Sequence, residues 1–230
     1  SEMCIRDSTF DRVTKRFDNG QEALSEVSAE FDSGSMTFLT GHSGAGKSTF
    51  LRLLIGVDLA TRGRIYVDGV DIGKLGTRRM PWYRREVGVV FQDHHLLAEH
   101  TVFDNVALPL RINHLSEREV TSRVRGALGR VELLGKEHLM PTQLSTGEQQ
   151  RVGIARAVVG KPKILLADEP TGNLDPQLAR SIMKLFSQFN ELGTTVIIAS
   201  HDIGLIESMQ MPTVNLLEGR ITQVGETSDV

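Results

Sequence analysis

The chain has 230 residues, of which 40% are hydrophobic and 24% charged, the composition of a globular protein with one large domain or two small ones. Its net charge of −3 argues against broad binding to nucleic acid or anionic lipid, so any such contact would have to be local. Its single cysteine excludes an internal disulfide and a cysteine-based metal cluster. Its apolar runs are far shorter than the ~18 to 20 residues of a spanning helix, so the sequence predicts no membrane span.

The start of the chain predicts antiparallel strands. Strand-like residues run through Thr9 to Phe17 and Ala23 to Phe31, with the turn signal Asp18-Asn19-Gly20 between them. Residues 1–8 contain no apolar stretch of the kind that a secretion signal needs, and we interpret them as a non-native or disordered segment. The predicted domain therefore runs from residue 9 to residue 227.

A glycine-rich loop follows the next predicted strand. A strand-like run, Met36 to Thr40, and a helix-like run, Phe50 to Val57, flank Gly41-His42-Ser43-Gly44-Ala45-Gly46-Lys47-Ser48-Thr49. The loop fits G-x-x-x-x-G-K-[ST], in which small residues let backbone N–H groups surround phosphate oxygens at a helix N-terminus. Lys47 then contacts the β- and γ-phosphates, and Ser48 offers its hydroxyl to Mg²⁺. An accidental turn would not need these flanking elements, so the loop predicts binding of a nucleotide with Mg²⁺.

Phe17 has two interpretations at this stage. An aromatic ring just upstream of such a loop can stack on adenine, a contact of about 1 to 3 kcal/mol for a base on an aromatic ring. The alternative is a core phenylalanine beside the turn, and spacing alone does not separate the two.

The next segment combines a strand with a basic cluster. Arg64 to Gly69 has the pattern of a strand that ends in a turn, and we expect it to join the early strands as an antiparallel layer. Arg78 to Arg85 is a basic cluster with Trp82 and Tyr83 within it. A nucleic-acid platform and a solvated face are both compatible with it, and the acidic net charge favours the solvated face.

Another predicted strand, Glu86 to Phe91, ends at Gln92. Polar side chains at the carboxyl end of a strand are typical ligand contacts in α/β folds, so Gln92 is a candidate site residue. The adjacent His94 and His95 lack a third metal ligand nearby, which favours ordinary loop residues. From Thr101 to Met140 the apolar residues recur at helical spacing, and they predict a helical subdomain over about 93–160.

Two carboxylates end the most apolar strand. Lys163 to Ala167 reads as a central parallel strand, and Asp168 and Glu169 follow it. We expect Asp168 to support Mg²⁺ and Glu169 to face the attacking water. Asp175 is predicted to cap the next helix, and His201, after another strand, is a candidate sensor of the γ-phosphate.

One further run resembles a known family. Gln143-Leu144-Ser145-Thr146-Gly147-Glu148-Gln149-Gln150-Arg151 is similar to the signature motif of ABC-type ATPases. It also lies in the family's order, after the glycine-rich loop and Gln92, and before Asp168-Glu169, Asn173-Leu174-Asp175 and His201. Details such as Phe91-Gln92-Asp93-His94-His95-Leu96-Leu97 resemble the branch of that family that acts in bacterial cell division.

The resemblance implies a fold and a set of roles. The fold is α/β, a P-loop NTPase with a RecA-like core, an antiparallel β subdomain and an inserted helical subdomain. The implied catalytic residues are Lys47, Gln92, Glu169 and His201. The implied nucleotide contacts are Phe17, Gly41 to Thr49, Asp175 and, from a second subunit, Ser145 and Gly147. The implied metal ligands are Ser48, Gln92 and Asp168.

Thr146 departs from the family's usual motif, which has glycine at this position. A β-branched residue is poorly tolerated where the backbone needs a positive φ or approaches a phosphate closely. We therefore expect Thr146 to weaken, and not abolish, the closed dimer.

The resemblance also implies partners. Two copies would join around ATP, and an integral membrane protein would hold this ATPase at the cytoplasmic face of the cell membrane, with no role for nucleic acid. Two alternatives remain open: the ATPase of a lipoprotein-releasing or macrolide-type transporter, and a soluble ABC ATPase acting on nucleic acid or in iron–sulfur assembly.

Overall fold

The computed structural model describes residues 6–172 and 174–225. Asn173, residues 1–5 of the segment predicted as non-native or disordered, and the predicted domain end at residue 227 lie outside the described residues. The strands are β1 Arg6–Arg16, β2 Glu22–Asp32, β3 Met36–Thr40, β4 Arg62–Val67, β5 Val70–Asp71, β6 Val87–Val90, β7 Ile164–Asp168, β8 Thr195–Ala199, β9 Thr213–Leu217 and β10 Arg220–Gly225. The helices are α1 Lys47–Ile55, α2 Gly76–Arg84, α3 Val102–Ile112, α4 Glu117–Arg130, α5 Thr146–Val158, α6 Pro176–Glu191 and α7 Ile203–Met209.

A six-stranded sheet forms the centre, in the order β10-β9-β3-β8-β7-β6. The five strands from β9 to β6 are parallel, and β10 pairs antiparallel with β9. Helices and a second sheet cover its two faces, which explains the near-continuous apolar strand sequences. Within β3, Phe38 belongs to one core and Leu39 to the other. Because the strands are parallel, the loops at their carboxyl ends share one edge of the sheet.

The second sheet is antiparallel, in the order β2-β1-β4-β5. It confirms the predicted layer that joins Arg64 to Gly69 with the early strands. Helix α1 packs between the two sheets, where the ring of Phe50 stacks on that of Phe10 with centroids 4.0 Å apart. This contact fixes the helix that begins at Lys47.

Three helices, α3 to α5, lie between β6 and β7 and inside the predicted range 93–160. The apolar stripes of α3 and α4 enter one shared core, as the helical spacing predicted. The two sheets and these helices together confirm the α/β fold with an antiparallel β subdomain and an inserted helical part. Among the described residues, no helix is both long enough and apolar enough to cross a membrane.

The structure differs from the sequence predictions at element boundaries. Strand β1 begins at Arg6, so the boundary expected at residue 9 lies inside it, and buried Asp7 accepts a hydrogen bond from the Thr195 hydroxyl. Helix α5 begins at Thr146, within the run that resembles the signature motif, because Ser145 and Glu148 form a reciprocal capping box. The basic cluster at Arg78 to Arg85 was not predicted as a helix, and most of it forms α2.

Candidate active site

The carboxyl edge of the central sheet brings the predicted residues together. The glycine-rich loop follows β3, Gln92 follows β6, Asp168 ends β7 with Glu169 next to it, and His201 follows β8. They share one open cavity of about 600 Å³. Residues more than 150 positions apart in sequence therefore face the same volume.

The glycine-rich loop leaves the N-terminus of α1 open toward this cavity. Gly46 is the N-cap, with no side-chain capping bond, and the first turn of α1 contains no acidic residue. A helix start of this kind offers backbone N–H donors and a positive dipole end to an anion. Gly46 has φ 108°, and a Cβ there would lie 2.7 Å from the Ala23 carbonyl oxygen. Both the backbone conformation and the packing therefore require glycine.

Lys47 is held in place by the loop that it follows. Its side chain is almost buried, and Nζ donates to the carbonyl oxygens of Gly41 at 2.7 Å and His42 at 3.3 Å. The same ammonium lies 3.5 Å from Glu169 Oε1. The position of this cation is thus fixed by contacts on both sides, as expected for a residue that meets phosphate oxygens.

Asp168 pairs with Ser48 at the mouth of the loop. Burial raises the pKa of Asp168, and a hydrogen bond with the Ser48 side chain acts against that rise. A carboxylate beside a hydroxyl suits Mg²⁺, which prefers oxygen ligands and is usually bound by one or two carboxylates together with substrate phosphates. No group of three or more His, Cys, Asp or Glu side chains in the described part could hold a metal alone. A metal here would therefore also need the nucleotide's oxygens.

Glu169 has a strained backbone and two basic neighbours. Its φ is 46°, in the left-handed region that costs a non-glycine residue about 1 to 3 kcal/mol, and its side chain is mostly buried. His201 Nδ1 lies 2.8 Å from the same Oε1 atom that faces Lys47. The structure therefore brings the predicted base, sensor and phosphate-binding lysine into direct contact.

Gln92 lies on a loop, residues 91–95, that helix α5 holds and that we call the Gln92 loop. Gln92 is exposed, and its Nε2 is near Gly172, just after Glu169. Arg156 of α5 donates to the carbonyl oxygens of His94 and His95, at 2.6 and 2.7 Å. Burial lowers the pKa of His94. Helix α5 therefore determines where this loop lies.

The core interpretation of Phe17 is wrong. Phe17 is half-buried, belongs to neither apolar core, and lines the cavity. Its role as an adenine platform stays a prediction. Sequence reasoning missed other lining residues, which are Gln21, Glu22, Ala23, Glu218 and Gly219. The turn signal at Glu218-Gly219 was visible, but nothing local indicated that it packs against Ala23.

The signature residues lie elsewhere. Ser145 is exposed as the N-cap of α5, and Gly147 is buried against Leu178, so neither lines this cavity. Asp175, which also does not line it, caps α6 by accepting from the backbone of Gln177 and Leu178. Thr146 is the first residue of α5 and has helical backbone, so the concern about a positive φ was wrong.

Comparisons with known proteins agree with this geometry. The family model described as ABC transporter matches residues 24–172. The cell division ATP-binding protein FtsE of Escherichia coli K12 is 50% identical over 212 residues, covering 92% of this chain and 96% of FtsE. FtsE of Mycobacterium tuberculosis is 44% identical over 216 residues, covering 94% of each chain. The methionine import ATP-binding protein MetN of Rhizobium meliloti is 41% identical, and the match covers 66% of that protein.

Solved structures show the same fold. The dimeric bacterial ABC transporter cassette MJ0796 superposes with a TM-score of 0.88 at 33% identity, covering 97% of this chain and 100% of the other. A second MJ0796 structure, with the same scores, is described as a dimeric post-hydrolysis state bound to ADP and Pi.

Proposed function

We propose that this chain, which belongs to the ABC transporter family, acts with an integral membrane partner. It is an FtsE-like ATPase subunit of bacterial cell division. It binds ATP and hydrolyses it to ADP and phosphate. The observation that carries the proposal is the contact of Lys47 with Glu169 and of Glu169 with His201 at one sheet edge. The greater identity to FtsE than to MetN supports the cell-division branch.

In this proposal each predicted site residue of the cavity has one task in binding or hydrolysing ATP. The N-terminus of α1 and Lys47 bind the β- and γ-phosphates. Glu169 orients the attacking water and accepts its proton, and His201 contacts the γ-phosphate. Ser48, Asp168 and Gln92 would hold Mg²⁺, which when bound neutralises charge on the phosphates. Phe17 supports the adenine ring.

The second half of the site comes from another copy. Ser145 caps a helix whose N-terminus favours an anion, yet this end does not face the chain's own cavity. Two copies joined head to tail would place Ser145 and Gly147 against the γ-phosphate of the opposite copy, with Asp175 beside it. The dimeric cassettes of the same fold support this arrangement.

The membrane partner would dock beside the Gln92 loop. A groove of about 420 Å³ lies between α2, α3 and α5, and we call it the α2–α3 groove. Its apolar rim includes Leu108 and Ile112, which are 38% and 55% exposed. Arg156 lines the groove and also donates to the Gln92 loop, so a movement of this loop would shift a side chain that contacts the docked partner. We propose an FtsX-like occupant, which would keep the ATPase at the cytoplasmic face of the membrane and turn its dimerisation into control of cell-wall hydrolysis.

A pull-down tests this function. The Glu169→Gln variant, loaded with ATP and magnesium, is used as bait in detergent-solubilised membranes, with Glu218→Gln as a matched control in the same cavity. We expect Glu169→Gln to retain an FtsX-like membrane protein and Glu218→Gln, which keeps the proposed base, to retain less of it. Retention of only lipoprotein-releasing or efflux subunits, or of no membrane protein, would contradict the proposal.

A further inference from the structure

Helix α2 presents an aromatic and basic face to solvent. Trp82 is 65% exposed, although it is a large and mostly apolar side chain. Arg78 lies one turn before it and Arg85 follows at i+3, so all three share one side of the helix. The Arg85 guanidinium lies 4.1 Å from the centroid of the Trp82 ring. We call Arg78, Arg79, Trp82 and Arg85 the α2 face.

The charge of this segment is opposite to that of the whole chain. Residues 74–86 contain five cationic side chains and one carboxylate, in a chain of net charge −3. Arg84 is used internally, since it donates to the Gly56 carbonyl oxygen at 2.7 Å, and Lys74 pairs with Asp71. Arg78 and Arg79 are exposed, and no acidic partner for either is found within residues 6–172 and 174–225.

The exposure of Trp82 does not result from a loose helix. Met80 is buried against Gly56, and the Tyr83 hydroxyl donates to the Leu54 carbonyl oxygen. These contacts fix the inner side of α2 on the end of α1. The α2 face is therefore a fixed surface, and Pro81 and Arg84 of the same helix line the α2–α3 groove.

We propose that the α2 face binds anionic lipid headgroups of the membrane surface. Tryptophan is enriched at membrane interfaces, because its ring is apolar and its N–H is polar. Arginine forms bidentate contacts with phosphate. A patch of this size in an acidic chain suits a surface of many headgroups better than a nucleic-acid strand, which needs a longer basic track. The inference rests on the proposed function only in placing a membrane nearby.

The sequence supplies its own probe, because Trp82 is the single tryptophan of the chain. The purified full chain, without nucleotide, is mixed with vesicles of phosphatidylcholine alone or with phosphatidylglycerol. We expect a blue shift of the tryptophan emission and co-sedimentation only with phosphatidylglycerol, both weakened by salt. Each basic side chain near an anionic surface strengthens binding about fivefold. The double variant Arg78→Gln, Arg79→Gln should therefore bind roughly 30-fold more weakly.

A matched control removes the same charge elsewhere. Arg118 and Arg130 are exposed on α4, and their replacement by glutamine should leave vesicle binding within about twofold of the wild type. An equal loss in both double variants would overturn the proposal, since net charge alone would then explain binding. So would equal binding to both vesicle types, no binding at low salt, or an emission shift caused only by single-stranded DNA or by the membrane partner. Unchanged ATP turnover in the Arg78, Arg79 variant would separate this result from the proposed function.

Discussion

Asp168 and Glu169 are neighbours in sequence with different surroundings. Asp168 is bonded to Ser48 and lies near the start of α1, whereas Glu169 contacts Lys47 and His201. Two adjacent carboxylates can take different roles when their environments differ in this way. Strand β7 ends at Asp168, and the left-handed backbone of Glu169, with φ 46°, turns the chain directly after it. The structure thus supports one carboxylate for metal and one for water.

Asp168 should destabilise the nucleotide-free fold. Burial raises its pKa above the ordinary value of 3.8, so the native state holds this proton more tightly than the unfolded chain. The free energy of unfolding therefore falls as pH rises from 3.8 through the raised pKa. We expect Asp168→Asn to be more stable than the wild type at neutral pH, with the gain shrinking as pH falls toward 3.8.

Denaturant unfolding at a series of pH values measures this difference. The exposed Asp18, in the turn after β1, supplies the control variant Asp18→Asn, which should change the unfolding free energy by no more than about 0.5 kcal/mol at neutral pH. A nucleotide-free Asp168→Asn protein that is less stable than the wild type at neutral pH would contradict the account.

Thr146 tests the approach of a phosphate to the start of α5. Its side chain is exposed beside Ser145, where the proposed second copy would bring a γ-phosphate. We expect Thr146→Gly to raise ATP turnover and dimerisation, because the β-branched side chain is removed. The same change should lower the unfolding free energy by up to about 1 kcal/mol, since glycine is a poor helix former. Steady-state turnover and denaturant unfolding measure the two effects, and unchanged turnover would show that Thr146 does not hinder closure.

At the scale of elements, the sequence predicted the strands, loops and helix starts that a short run of neighbouring residues is enough to specify. The glycine-rich loop, the central strand before Asp168 and the helix starts carry short signals that need no tertiary information. Helix α2 was missed because it contains Pro81 and three arginines, and it is stabilised by distant contacts such as Arg84 with Gly56. The hydrogen bond from the Thr195 hydroxyl to Asp7 could not be predicted either, because the two residues are 188 positions apart in the sequence.

Gly147 tests the packing of the signature helix. A Cβ at this position would lie 2.3 Å from Leu178 Cδ2 of α6. We expect Gly147→Ala to lower the unfolding free energy by about 1 to 3 kcal/mol, the usual cost of overpacking. The added Leu178→Ala should recover part of it. Gly126→Ala on α4, where nothing lies within 4 Å, should instead stabilise by up to about 1 kcal/mol. Equal effects at both glycines in thermal or denaturant unfolding would refute this packing argument.

Asn105 of α3 holds the segment from Leu97 to Thr101, which follows the Gln92 loop, and a substitution at Asn105 tests this contact. Asn105 is fully buried and accepts from the Leu97 backbone N–H, and its two amide N–H groups face three carbonyl oxygens at 3.0 to 3.1 Å from Nδ2. We expect Asn105→Ala to cost roughly 2 to 4 kcal/mol of unfolding free energy, because several buried backbone groups lose their partner. Asn113, the C-cap of α3, has an unpartnered buried Oδ1, so Asn113→Ala should be nearly neutral. Similar losses in the two variants would contradict this assignment.

At the scale of the whole molecule, the proposed site has two halves, one at the carboxyl edge of the central sheet and one at the N-terminus of α5 in a second copy. The two halves do not meet in one chain, since Ser145 does not line the cavity around Lys47. Sequence order revealed both motifs, but their separation in space follows from the insertion of α3 to α5 between β6 and β7. The α2–α3 groove lies between α2 and this inserted part, and in our proposal it connects partner docking to the Gln92 loop through Arg156.

The most direct measurement is sedimentation velocity of the Glu169→Gln variant with ATP and magnesium, with ADP, and without nucleotide. Loss of the base should slow hydrolysis by roughly 10²- to 10⁴-fold and let the ATP-bound state accumulate. We predict a dimer with ATP and a monomer in the other two conditions, and a monomer with ATP when Ser145 is also changed to arginine. A Glu169→Gln chain that binds ATP and remains monomeric, or that dimerises equally without nucleotide, would contradict the account.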